Sequence, residues 1–268
     1  MKFLLTAINA KFIHSNPAIY SLRAGAGEKL QPYVELAEFT INESLESILE
    51  GIWKRQPKVI GFSCYIWNWK LIREILTELP KILPDTEIWL GGPEVTYDGP
   101  GLLREFPQVT GIMVGEGEVT FREVLEQYLR EAETAGQSEQ QPESDSTEHQ
   151  VADRRGTVAG KSMVERFGQI PGLCLASGYT APRDLTDLTT LPFLYEDMEP
   201  FTNRIIYYET SRGCPYRCSY CLSSIDKKVR LRDISVVKRE LQFFLDQNVK
   251  QVKFIDLSLI HISEPTRL

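Results

Sequence analysis

The sequence predicts an α/β protein in which a doubly wound parallel sheet fills the first half and a smaller β-α-β unit follows. Three observations predict it. Five short apolar runs alternate with helix-period stripes between Lys2 and Leu129, each run is followed by a polar, often glycine-bearing loop, and a second strand–helix–strand pattern lies beyond a polar stretch.

The strand candidates are "KFLLTAI", "VELAEFTI", "KVIGFSCY", "EIWLGG" and "GIMVGEG", rich in β-branched or aromatic residues. Between them, Leu45, Ile48, Leu49, Ile52 and Trp53 share one helix face, with Thr40 and Glu43 as an expected capping box. Ile72, Ile75, Leu76 and Leu79 make a second stripe. Phe121, Val124, Leu125, Tyr128 and Leu129 make a third, with Thr120 and Glu123 in the capping positions. In such a sheet, ligands bind beyond the carboxyl ends of the strands near the point where the strand order reverses.

The loops at those ends are "NAKFIHSNP", "CYIWNW", "GGPEVTYDG" and "GEGEVT". Gly91, Gly92, Gly115 and Gly117 allow close approach of backbone to a ligand, or simply tight turns. No G-x-G-x-x-G opens a helix, so a dinucleotide site has little support. Trp67 and Trp69 flank Asn68, where they either wall a flat ligand or pack on the sheet edge, and His14 is a lone loop histidine.

Residues 131–168 are Glu-, Gln-, Ser- and Gly-rich and read as a disordered linker or insertion, which removes His149 from the ligand candidates. Residues 169–203 regain apolar content, with turn signals at Pro171-Gly172, Ser177-Gly178 and Pro182, and read as a hairpin and an extended connector. From 204 to 256, "RIIYYETS" is a strand, "SVVKRELQFFLDQN" a helix with Val237, Leu241, Phe244 and Leu245 on one face, and "QVKFID" a strand. The predicted domains are therefore 1–130 and 204–256, while 257–268 break the pattern and read as a non-native tail in which His261 has no role.

The balance of 30 Lys and Arg against 37 Asp and Glu, a formal charge of -7, gives no signal for nucleic-acid or anionic-membrane binding. The first apolar run is too short for a signal peptide or membrane span, so a cytoplasmic protein is expected. Five cysteines, three of them clustered, indicate metal or cofactor use in a reducing compartment.

The cluster lies in "ETSRGCPYRCSYCLSS", where Cys214, Cys218 and Cys221 fall within eight positions in the loop leaving a predicted strand. Zinc sites usually take four protein ligands, whereas three thiolates can hold three irons of a [4Fe–4S] cube and leave the fourth to a small molecule. Lys227, Lys228, Arg230 and Arg232 follow, either steering an anionic substrate or forming a solvated lead-in to the helix.

This C-x-x-x-C-x-x-C spacing, with Tyr220 before the last cysteine and "SRG" before the first, resembles the signature of radical S-adenosylmethionine enzymes. The resemblance implies that Cys214, Cys218 and Cys221 ligate the [4Fe–4S] cluster, that S-adenosylmethionine chelates the unique iron, and that Tyr220 lies by its adenine. It also implies a partial TIM-type barrel, a flavodoxin- or ferredoxin-type electron donor, and reductive cleavage of S-adenosylmethionine to a 5′-deoxyadenosyl radical. Preceded by an α/β domain carrying "GGPEV" and "GEGE", the signature resembles the cobalamin-binding class of these enzymes. Gly91, Gly92, Pro93, Glu94, Gly115 and Glu116 would then line the corrinoid cleft and Ser63 would touch the nucleotide tail.

Two departures stand out. The D-x-H-x-x-G motif that gives classical cobalamin proteins a cobalt-ligating histidine is absent, and only two barrel strands are predicted. The expectation is a radical enzyme acting on a small molecule, with methylation of an unactivated centre as one reaction open to it, that does not turn over as this chain alone. No residue is assigned a catalytic role. The alternatives are a methylthiotransferase-like radical enzyme without cobalamin, and a non-enzymatic iron–sulfur or zinc module.

Overall fold

The structure is a computed structural model that describes residues 2–138, 162–225 and 228–257. The chain forms two compact units, Met1–Phe12 with Ala18–Leu185, and Ile13–Pro17 with Thr186–Leu268.

The first unit is a seven-stranded sheet. Its strands and helices alternate as β1 (Phe3–Asn9), α1 (Pro17–Gly25), β2 (Val34–Thr40), α2 (Leu45–Trp53), β3 (Val59–Ser63), α3 (Trp69–Ile82), β4 (Glu87–Gly91), α4 (Gly99–Glu105), β5 (Val109–Met113) and α5 (Glu118–Ser138). A short α6 (Met163–Phe167) and the strands β6 (Leu173–Leu175) and β7 (Gly178–Tyr179) follow. The order β2-β1-β3-β4-β5-β6-β7 reverses between β1 and β3, with parallel pairing through β5 and antiparallel pairing beyond it. All five predicted strands are present.

Side-chain alternation along the strands feeds two cores. Leu4, Ile8, Ile60 and Phe62 pack with Ile48 and Ile52 of α2 and with Ile72, Ile75, Leu76 and Leu79 of α3. Phe3, Leu5, Ala7, Val59 and Trp89 pack with Ile19 of α1, Phe121, Val124, Leu125 and Tyr128 of α5, and Phe167 of α6. Every residue of β1 is buried, as expected of a central parallel strand covered on both faces.

Neither expected capping box forms in full, although the Glu43 carboxylate accepts from the Thr40 amide at 2.7 Å. Ser44 caps α2 by accepting a hydrogen bond from the Ser47 amide at 3.2 Å, because the extended strand carries on through Thr40 and leaves that residue too early to cap. The helix α5 begins two residues before Thr120, whose hydroxyl donates to the Pro171 carbonyl and accepts from Arg183 Nε at 2.7 Å. Arg183 also pairs with Glu123. These bonds fasten the 171–183 segment to α5, and the expected hairpin, β6 with β7, pairs onto β5 of the first sheet.

The expected linker 131–168 is ordered at both ends. The helix α5 runs through Ser138, and Ser162 with Glu165 forms a reciprocal capping box at α6; residues 139–161 lie outside the described residues. Arg166 explains the return of the chain. Its side chain is almost fully buried between Glu87 and Glu131, with Nη1 3.0 Å from Glu87 and Nη2 2.9 Å from Glu131. Tyr128 adds a hydrogen bond to Glu87 at 2.6 Å and accepts one from Trp89 Nε1 at 2.8 Å.

The second unit pairs β8 (Ile206–Tyr208) in parallel with β11 (Val252–Phe254), joined through α7 (Ile234–Asp246). A short antiparallel pair, β9 (Ser211–Arg212) and β10 (Arg230–Leu231), lies between β8 and α7 in sequence. On the other side of β8, Ile13 and His14 run alongside as an edge, with the Ile205 amide donating to the Ile13 carbonyl at 2.9 Å.

The predicted stripe of α7 is corrected at one position. Val237 and Phe244 are buried and Leu241 is partly buried, but Leu245 is 70% exposed. Glu240 is buried in its place, accepting from Tyr208 Oη at 2.5 Å and from Arg232 Nη2 at 2.9 Å. Burial and the neighbouring Glu240 carboxylate hold the Tyr208 phenol well above its ordinary pKa, so it remains a donor. Arg230 and Arg232 bond the Thr186 and Leu191 carbonyls; they are structural ties within this unit, not a solvated lead-in. Among the described residues, no helix is long and apolar enough to cross a membrane.

Replacing Arg166 with Ala leaves two carboxylates at a largely buried position without their cation. The expected cost is about 3–5 kcal/mol, read as a lower urea midpoint for the first unit. A loss below about 0.5 kcal/mol, the range of ordinary surface substitutions, would contradict the anchoring role.

Candidate functional site

The first candidate region is the carboxyl edge of the first unit's sheet. Where β1 and β3 part, Asn68 is fully buried. Its Nδ2 donates to the Ile8 carbonyl and the Ser63 carbonyl, both at 3.0 Å, and its Oδ1 accepts from the Tyr65 amide at 2.8 Å. Three of its four hydrogen-bonding sites are thus used to join the strand ends and shape the loop that follows. Sequence reasoning treated Asn68 only as the residue between two tryptophans. An asparagine at a strand-to-helix turn was the available signal.

The loop held by Asn68 turns Ile66 and Trp67 outward, and the Trp67 ring stacks on Tyr65 with centroids 4.4 Å apart and planes at 7°. Trp69 points inward, edge-on to Phe106. The two tryptophans therefore do not act as a pair; only Trp67 offers a ring face to the surface.

The neighbouring loop is joined to this one. The Cys64 amide donates to the Gly91 carbonyl at 2.7 Å, and the Glu94 amide donates to the Cys64 carbonyl at 3.4 Å. Gly92 has φ +108°, and a Cβ there would lie 2.5 Å from the Cys64 carbonyl oxygen, so only glycine fits this close approach. Ser63 pairs in register with Gly91, and Gly91 with Met113 on β5. Ser63, Gly91, Gly92, Pro93 and Glu94 are thereby brought to adjacent strand ends, and Gly115 and Glu116 follow the next strand. Gly115 has φ +78° with open space where a Cβ would stand.

Buried Cys64 is no candidate ligand: its thiol is held far above the ordinary pKa by burial. Cys174 is likewise buried. His14 belongs to the second unit, where its Nδ1 is 2.5 Å from Tyr207 Oη.

The second candidate region is the cysteine loop. It leaves β9 at Gly213, φ +92°, and returns at β10, so the β9–β10 ladder closes its foot. The Arg232 amide reinforces that foot by donating to the Thr210 carbonyl at 2.8 Å. Cys214 and Cys218 are partly buried, Cys221 is exposed, and none is in a disulfide. The Cys221 amide donates to the Cys218 carbonyl at 3.1 Å, and Tyr220 is 91% exposed. Among the described residues, no three His, Cys, Asp or Glu side chains converge closely enough to hold a metal ion. The three thiols share one clamped loop, but their sulfur atoms are not gathered.

Comparison with known proteins gives these regions a context. Residues 4–125 match the family model described as the B12 binding domain. The chain is 27% identical over 245 residues to the 2-(S-pantetheinyl)-carbapenam-3-carboxylate methyltransferase of Streptantibioticus cattleyicolor, covering 87% of this chain and 31% of that protein. It is 26% identical over 220 residues to the cobalamin-dependent radical SAM methyltransferase TokK of Streptomyces tokunonensis, covering 75% of this chain and 27% of that protein. The fold resembles that of the cobalamin-dependent S-adenosylmethionine radical enzyme OxsB, with TM-score 0.64 at 16% identity over 95% of this chain and 34% of that one. The chain spans about a third of the length of these relatives.

The carboxyl-edge loops thus lie within the stretch that matches the B12 binding domain. The chain as a whole is similar in sequence to a cobalamin-dependent radical SAM methyltransferase and in fold to a cobalamin-dependent S-adenosylmethionine radical enzyme.

Alanine at Gly92 should cost more than alanine at Gly115. Both pay about 1–2 kcal/mol for left-handed backbone, but only Gly92 meets the carbonyl of Cys64. Thermal unfolding of the two variants checks the order; equal losses would contradict the packed-loop description.

Proposed function

We propose that this chain carries the cobalamin- and cluster-binding parts of a radical S-adenosylmethionine methyltransferase. The observation that carries the reading is the set of three cysteines outside any disulfide on one strand-end loop of a parallel β-α-β unit, in a chain whose residues 4–125 match the B12 binding domain. Methyl transfer is favoured because the two curated relatives described above are named methyltransferases.

The residues fit both groups chemically. Cys214, Cys218 and Cys221 are the thiol donors an iron–sulfur cluster takes, two of them partly buried and one exposed on a single loop. Ser63, Gly91, Gly92, Pro93, Glu94, Gly115 and Glu116 lie at neighbouring strand ends, where backbone can approach a corrinoid, and Trp67 presents a flat apolar ring beside them. When bound, the cluster supplies the electron that cleaves S-adenosylmethionine, and the corrinoid supplies a cobalt centre able to carry a methyl group. The chain's own part is positional. Asn68 and the Gly91–Cys64 bond fix the loops that would receive the corrinoid, the β9–β10 ladder fixes the foot of the thiol loop, and Tyr220 is available to lie against the adenine.

Anaerobic reconstitution with iron and sulfide should give close to four irons per chain in the wild type, falling sharply in Cys218→Ala, as expected for a cube held by three thiolates. Titration with hydroxocobalamin should shift the corrinoid absorbance at a stoichiometry of one. Iron without corrinoid binding would favour the methylthiotransferase-like alternative. Zinc bound in place of iron would sink the radical reading.

A further inference from the structure

A carboxylate at the end of the neighbouring strand holds the root of the cysteine loop. Asp256 lies two residues beyond β11, which runs parallel to β8 with Phe254 opposite Tyr208, and the Ile255 amide continues the ladder by donating to the Tyr208 carbonyl at 3.0 Å. That register sets Asp256 beside Thr210 and Ser211, the residues through which the chain turns from β8 toward the cysteines.

The bonding there is dense. The Thr210 amide donates to both carboxylate oxygens of Asp256, at 3.0 and 3.2 Å. The hydroxyls of Thr210 and Ser211 each donate to Oδ1 at 2.6 Å. Three donors on two consecutive residues converge on one side chain, and Ser211 is 3% exposed. Hydrogen bonds to an ionised acceptor are shorter and roughly twice as strong as neutral ones. Cys214 follows Ser211 by three residues, with Gly213 in the left-handed region between them.

We infer that Asp256 is a positioning residue for the thiol loop: through Thr210 and Ser211 it sets the direction in which the chain departs toward Cys214, Cys218 and Cys221. This rests on the reading of those cysteines as cluster ligands. The reasoning is geometric. β8 ends at Tyr208, and the ladder to β10 starts only at Ser211, so Glu209 and Thr210 span a break between two pairings. The Thr210 carbonyl is taken by Arg232, leaving its amide to be satisfied from the other side. Asp256 supplies that acceptor. A hydrophobic residue there would leave the Thr210 amide and two hydroxyls without it, at the point where the loop takes its direction.

The test uses the 268-residue chain with Asp256→Asn, Asp256→Glu and the double variant Thr210→Val/Ser211→Ala. After anaerobic reconstitution, iron release to a chelator is timed, and in the metal-free protein the alkylation rates of Cys214, Cys218 and Cys221 are measured by peptide mass spectrometry. Partners that orient metal ligands typically change metal affinity by about 10–100-fold. Asp256→Asn and the double variant should each speed iron release by about tenfold or more and change the relative alkylation rates of the three cysteines. Combining them should add little, and Asp256→Glu should recover part of the loss. These changes should occur with the unfolding midpoint of the first unit unmoved. Should Asp256→Asn fail to fold, the double variant carries the test alone. Iron release and alkylation both at wild-type values in the variants, with iron still lost on Cys218→Ala, would overturn the role of Asp256 while leaving the cluster reading intact. If the wild type takes up no cluster, the cluster reading fails, and an unchanged alkylation pattern in the variants overturns the positioning role as well.

Discussion

The carboxyl edge of the first sheet depends on how its backbone polar groups are satisfied where the strand order reverses. Between β1 and β3 the following loops diverge, and strand carbonyls at the ends lose their sheet partners. The amide of Asn68 takes up two of them, from Ile8 and Ser63, while accepting the Tyr65 amide. A buried group with three satisfied bonds fixes one conformation, and an apolar residue there would leave all three partners unpaired. That one side chain shapes the loop from which the Trp67 ring turns outward, while backbone bonds between Cys64 and the Gly91–Glu94 loop seat Cys64 against Gly92.

The second unit solves a similar problem with charge. Its parallel strands β8 and β11 and helix α7 bury Glu240, paired with Arg232 and Tyr208, and Arg232 extends the tie to the Leu191 carbonyl. Asp256 does the same at the strand end for Thr210 and Ser211. Polar side chains at the strand ends thus take over where ladder hydrogen bonds stop, and the loop carrying the cysteines begins from such a place. Arg166 in the first unit follows the same rule, satisfying two acidic groups as the chain returns to the sheet.

The parallel strands and the stripes of α2, α3 and α5 were legible because their periodicities, two and 3.6, are set by backbone geometry and run over several residues. Ile72, Ile75, Leu76 and Leu79 are all fully buried as their spacing implies. The attachment of β6 and β7 was not legible, since strands of three and two residues carry no periodic signal and are placed by Thr120 and Arg183, distant in sequence. The caps were misplaced by a few residues because several Ser, Thr and Glu residues near each helix start could serve. The burial of Glu240 was not legible because a lone acid gives no sign that Tyr208 and Arg232 will meet it. The three cysteines stand out in the sequence by their spacing, whereas Asn68 and Asp256 work through contacts that only the fold creates.

On the proposed reading, Cys214, Cys218 and Cys221 would hold an iron–sulfur cube whose fourth iron is left for S-adenosylmethionine. Mössbauer spectroscopy of the chain reconstituted with enriched iron, recorded with and without S-adenosylmethionine, tests it most directly. The account predicts a cluster spectrum in which one iron site of four shifts when S-adenosylmethionine is added and the other three hold. A spectrum from a single thiolate-bound iron, or a cluster whose four sites are all indifferent to S-adenosylmethionine, would contradict it.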